Sequence, residues 1–132
     1  MIVRKFHPDD LKGLNLQEEQ RWAMRFFGPE VLEMLETGPA YTLVDDHPLA
    51  CAGLIYADGN AQAWAWVGED APMLALHRYV RAALQAIPEC LTYVDVTWPQ
   101  ALRWIALLGF KPTGVVMDLG GVPHGVFSYV RP

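Results

Sequence analysis

Glu69 and Asp70 are adjacent carboxylates at the point where an alternating run of residues gives way to a helical one. Carboxylates suit the positive end of a helix, and Asp70 can cap one whose first turn holds Pro72. Asp45-Asp46-His47 gathers two carboxylates and an imidazole, a set able to move protons, but these residue types also build turns without any further role. Asp95 lies between Val94 and Val96, either on a wet face or in a pocket. His7, His47, His77 and His124 are scattered, with no spacing suited to a metal. His77 falls on or near the apolar side of its helix, as a core histidine with a hydrogen-bond partner would. Cys51 sits among small residues and reads as core packing. Cys51 and Cys90 form no CxxC pair, and a reducing compartment disfavours a disulfide between them. Trp64 and Trp66 share one face of a strand. They fit either a sheet-to-helix core, with Trp98 and Trp104 nearby, or the wall of a substrate cleft or interaction patch.

These residues need elements to hold them. Ile2 to Phe6 reads as a strand, followed by a short helix opened by Pro8 and the carboxylates of Asp9 and Asp10. Gln17 to Phe27 reads as a helix with Trp22, Ala23, Phe26 and Phe27 on its apolar face. Gly28-Pro29 ends it, and Glu30 to Glu36 resumes with Val31, Met34 and Leu35 inward. Strands are expected at 40–45, 49–57 and 62–67, with Asp46-His47-Pro48 and Asp58-Gly59-Asn60 as turns. In the third strand Gln62, Trp64 and Trp66 oppose Ala61, Ala63, Ala65 and Val67. The next helix carries Met73, Leu76, Val80, Ala83 and Ile87 at spacings of three and four, and Pro88 ends it. Leu91 to Thr97 is a strand with Leu91, Tyr93 and Asp95 on one face. Pro99 to Leu108 is a helix whose polar residues are Gln100 and Arg103, which predicts that it is largely buried; Gly109 ends it. Strands at 111–119 and 122–130 flank Gly120-Gly121.

The chain has 132 residues, which suits one domain spanning 1–132. Ten Lys and Arg against fifteen Asp and Glu give a net charge of −5. That balance, with no basic cluster, argues against nucleic acid. Charged residues make up only 19% and apolar residues 52%, which excludes intrinsic disorder. No apolar run is long enough to span a membrane, and the first residues lack the hydrophobic stretch of a signal peptide, so the cytosol is the expected location. The order β-α-α-β-β-β-α-β-α-β-β implies an α/β (α+β mixed sheet) fold: an antiparallel meander followed by a right-handed crossover.

Two stretches carry a family resemblance. PQALRWIALLGFKPTG at 99–114 resembles the C-terminal signature of the GCN5-related N-acetyltransferase (GNAT) superfamily, where an Asn-x-x-Ala helix ends in Leu-Gly-Phe and enters a strand. Ala101, Leu108, Gly109 and Phe110 match it. TLVDDHPLACAGLIY is similar to the family's paired central strands, and the element order is the family's layout. YVDVTW, ALRWIALLGF and AQAWAWVGED also resemble a divergent branch, the small acetyltransferase-like proteins of tailed phages related to the short-tailed phage internal virion protein.

The resemblance implies a GNAT-like acyl-CoA N-acyltransferase fold with acetyl-CoA as cofactor and an amine as substrate. Helix-terminal amides would hold the pyrophosphate, and a splayed strand pair would seat the pantetheine and thioester. It puts Trp66, Val67, Gly68, Met73 and Leu74 at the cofactor. The corresponding loop, Val67 to Leu74, has one glycine, no basic residue, two carboxylates and a proline. The family's general acid, a Tyr four residues before the Gly of Leu-Gly-Phe, is replaced by Ile105. Tyr93 is the substitute acid that remains, and Glu69 the base. These departures keep a second reading open: a non-catalytic phage virion or assembly protein that retains the fold and acts on a phage or host protein partner.

Overall fold

The structure, a computed structural model, describes residues 1–25 and 28–132. It runs β1 (Ile2–Lys5), a 3-10 helix (Pro8–Gly13), α1 (Glu18–Met24), α2 (Pro29–Glu36), β2 (Ala40–Val44), β3 (Pro48–Ala57) and β4 (Asn60–Val67). Then follow α3 (Met73–Leu84), β5 (Glu89–Asp95), α4 (Pro99–Leu108), β6 (Lys111–Leu119) and β7 (Val122–Val130). The strands form one seven-stranded sheet in the order β1-β2-β3-β4-β5-β7-β6. β1 to β4 are an antiparallel meander, and the β3–β4 turn places Asp58 at φ 53° and Gly59 at φ 76°, as a tight hairpin of this twist requires. The crossover through α3 sets β5 parallel to β4, and β7 inserts between β5 and β6.

Alternation along β4 separates two cores. Trp64 and Trp66 face the side covered by the 3-10 helix, α1 and α2, where they pack with Phe6, Leu11, Leu35 and Cys51. Ala61, Ala63, Ala65 and Val67 face α3 and α4, against Leu76, Leu84, Ile105 and Leu108. Gly53 lies opposite Trp64, and a Cβ there would come within 2.5 Å of the Pro39 carbonyl, so β3 can approach β2 this closely only without a side chain.

Asp10 anchors the first core. It is only 6% exposed and sits beneath the fully buried Thr42. Its carboxylate accepts two hydrogen bonds from Arg4, at 2.9 and 2.7 Å, one from the Thr42 hydroxyl at 2.7 Å and one from the His7 amide at 2.9 Å. Burial pushes its pKa up, but the bonds from Arg4, Thr42 and His7 outweigh burial and hold it below the ordinary carboxylate value.

Several helix faces differ from expectation. In α2, Leu32 packs into the core and Met34 is exposed. In α3, Leu84 is buried and Ala83 exposed. α4 is not largely buried: Ile105 and Leu108 are, but Leu107 is 72% exposed. In each case packing against the sheet selects the buried stripe, and spacing alone cannot. Phe26 and Phe27 lie outside the described residues. Cys51 and Cys90 are buried free thiols. Among the described residues no helix is long and apolar enough to cross a membrane.

Candidate functional site

The parallel pair at the centre of the sheet opens. β4 and β5 are in register only at Gln62 and Leu91, and the Thr92 hydroxyl then donates to the Ala63 carbonyl at 3.0 Å. Beyond that point the strands diverge into a cleft of about 1520 Å³ that reaches both faces of the sheet. Trp64, Trp66, Tyr93, Asp95 and His124 line it on the α1 side, Met73, Leu74 and His77 on the α3 side, and Trp98, Trp104 and Ile105 around the α4 end.

Each expected residue has a definite place. Tyr93 is half-buried in the β5 wall of the cleft. Glu69 stands on the rim, with its carboxylate 3.8 Å from Arg21. Neither Glu69 nor Asp70 caps α3, whose N-cap is Pro72 with no side-chain hydrogen bond. Asp70 instead accepts from His47 Nε2 at 2.6 Å, while His47 Nδ1 meets Asp46 at 2.6 Å. Hydrogen bonds to Asp70 and Asp46 raise the His47 pKa, and this imidazole ties the β2–β3 turn to the β4–α3 loop. Asp95 lines the cleft, but its Oδ1 is engaged by the Thr97 amide and hydroxyl. His77 accepts from Trp104 Nε1 at 3.2 Å; it is half-buried and lines the cleft rather than sitting in the core. Trp104 packs against the α3–α4 core and is not beside Trp64 and Trp66. Trp64 packs edge-on against Phe6, with ring centroids 5.2 Å apart. Its indole nitrogen is buried with no hydrogen-bond partner among the described residues.

His124 joins this set although its sequence position gives no hint of it. It pairs with Asp95 across β5 and β7, so the two side chains share the cleft face. Its Nδ1 lies 3.0 Å from the Val122 carbonyl. A carbonyl only accepts, so Nδ1 carries the proton, and in the neutral ring Nε2 keeps its lone pair. Among the described residues no group of three or more His, Cys, Asp and Glu is arranged to hold a metal.

No protein-family model and no curated protein sequence matches the chain. Solved structures match over nearly its whole length. An aminoglycoside 6'-acetyltransferase type Ii is 18% identical with a TM-score of 0.71, covering 100% of this chain and 98% of that one. A spermidine N-acetyltransferase chimera with a Vibrio cholerae parent is 15% identical with a TM-score of 0.69, covering 99% and 96%. An aminoglycoside acetyltransferase in complex with coenzyme A is 15% identical with a TM-score of 0.65, covering 98% and 94%. The fold is that of the GNAT acetyltransferases. The match extends over the whole mixed seven-stranded sheet.

Fit to an acyl-CoA divides at the end of β4. The β4 edge accepts an amide, because the Gln20 carboxamide already bonds there: Nε2 donates to the Ala65 carbonyl at 3.0 Å and Oε1 accepts from the Val67 amide at 2.8 Å. The cleft thus suits the amide-bearing pantetheine arm. The loop after β4 does not suit the diphosphate. The Gly68 amide donates to Leu49, Glu69 to Asn15 and Ala71 to Gly68, and Pro72 has no N–H. The amides of Met73, Leu74 and Ala75 in the first turn of α3 have no partner within the helix and are the helix-terminal donors that remain.

Proposed function

We propose that this chain is an acyl-CoA-dependent N-acyltransferase with an atypical cofactor loop. The observation that carries the reading is the cleft opened by the β4–β5 splay, walled by aromatic side chains and reaching both faces of the sheet. The Ala65 carbonyl and the Val67 amide would hold the amide arm along β4, past Trp66 and Gly68, with the Met73 and Leu74 amides nearest the diphosphate. When bound, the cofactor supplies an acyl group activated as a thioester.

The chain's own residues have the remaining work. Trp64, Trp66 and Tyr93 wall off water and orient the acceptor, so positioning supplies much of the rate. His124 Nε2 takes a proton from the acceptor ammonium, since only the free amine has a lone pair. Glu69, exposed on the rim beside Arg21, is the rival base. The Tyr93 hydroxyl is the donor that protonates the departing thiolate. Glu18, Glu19, Asp95 and Asp118 also line the cleft, against Arg103, which favours a cationic amine.

Calorimetric titration with acetyl-CoA, followed by thiol release in the presence of spermidine, tests the reading. Saturable binding with acceptor-dependent release supports it; no binding at millimolar acetyl-CoA overturns it. The closed amides and carboxylates of residues 68–72 favour a second reading, a non-catalytic domain that keeps the fold and works through protein contacts. The same null titration would select that one.

A further inference from the structure

β4 has an edge that β5 leaves uncovered beyond Ala63, and the chain covers it with its own side chains. Gln20 pairs with both the Ala65 carbonyl and the Val67 amide, and Gln17 Nε2 donates to the Val67 carbonyl at 3.4 Å. Leu16 forms an antiparallel bridge with Gly68, and the Glu69 amide donates to the Asn15 carbonyl at 2.7 Å. A carboxamide offers one acceptor oxygen beside N–H donors, as a peptide group does. Gln20 therefore does for β4 what a neighbouring strand would do, with a side chain in place of a main chain.

We propose that Gln20 is a resident competitor for the amide arm of the acyl donor and sets its affinity. This rests on the acyl-CoA reading above. The arm and the carboxamide need the same two groups, the Ala65 carbonyl and the Val67 amide, so one must leave for the other to bind. Displacement needs no unfolding, because rotation of the half-buried Gln20 side chain about its own bonds frees the edge. Gln17 and the Leu16 bridge keep α1 in place meanwhile. Donor binding is thereby coupled to the rotamer of one side chain on α1.

The test compares wild type with Gln20→Ala, a change that favours the α1 helix. Acetyl-CoA and pantetheine, which has the amide arm without the diphosphate, are titrated calorimetrically into each. Amide exchange at Val67 is followed by NMR without ligand. Removing competition for two hydrogen bonds should tighten pantetheine and acetyl-CoA binding by about tenfold. The Val67 amide should be protected in wild type and exchange faster in the variant. Tighter pantetheine binding in Gln20→Ala, with no acetyl-CoA binding in either protein, would support Gln20 as a competitor for an amide arm on β4 and overturn the acyl-CoA reading. Equal or weaker binding of both ligands by the variant would overturn the competitor and leave that reading standing. No binding of either ligand to either protein would overturn both, as would an unprotected Val67 amide in wild type for the competitor alone.

Discussion

Replacing Asp10 separates the buried part of its cluster from the wet part. In Asp10→Ala the Thr42 hydroxyl, fully buried, and the His7 amide both lose their acceptor. A hydrogen bond to a charged group contributes about 1.5–3 kcal/mol, so these two losses together cost about 3–4 kcal/mol once partial relaxation is allowed. Arg4 adds little, because its side chain is 41% exposed and regains water. Asp10→Asn behaves differently. The Thr42, His7 and one Arg4 bond all converge on Oδ2, while Oδ1 receives only Arg4. An asparagine with its oxygen at the Oδ2 position keeps the buried bonds and sets its NH2 against Arg4 alone, at a small cost. Urea unfolding of the three proteins measures this, and Asp10→Ala should lower the midpoint by about 2 M for a slope near the middle of the usual range. Equal losses for the two variants, or a loss under about 1 kcal/mol for Asp10→Ala, would refute the division between buried and wet bonds. The sign with pH also follows. The folded pKa of Asp10 is depressed, so its stabilisation is present above the unfolded value of about 3.9 and disappears as pH falls through the lower folded value.

His47 has the opposite sign. Its folded pKa is raised by Asp70 and Asp46, so its contribution is complete below the unfolded value of about 6.5 and is lost as pH rises through the folded one. Melting of wild type and His47→Gln should therefore differ in mildly acidic buffer and converge in alkaline buffer; a constant difference would contradict the ion pairs. Burial pushes the Cys51 thiol up to about 12 and the Cys90 thiol to about 11. Neither should react with an aromatic disulfide reagent at neutral pH until the chain unfolds, and rapid labelling of the native protein would contradict that.

Local chemistry made much of the fold legible. Asp58-Gly59 needs positive φ and forms the tight hairpin, Gly109 ends α4 in the left-handed region at φ 103°, and alternation puts Trp64 and Trp66 on one face. The opening between β4 and β5 followed from the expected family layout. Helix faces were less legible. Met34 and Leu32, or Ala83 and Leu84, lie within one or two residues of each other, and a small rotation on the sheet exchanges which is buried. The helix-cap reading of Asp70 failed because His47, distant in sequence, is a stronger partner than the α3 amides.

The site was least legible where it depends on pairing between distant segments. His124 reaches the cleft only because β7 inserts between β5 and β6, which sets it opposite Asp95; no spacing in the sequence encodes that insertion. Gln17 and Gln20 are ordinary polar positions at the start of an amphipathic helix until β4 lies beside them. Their contacts explain how the cleft stays open without exposing bare main chain. Backbone groups at a buried edge need partners, and an open parallel pair leaves those of Ala65 and Val67 without a strand. Two glutamine side chains supply partners, and so remove the main-chain driving force that would draw β5 toward β4. The same residues that stand in a ligand's place are thus the ones that preserve the space for it.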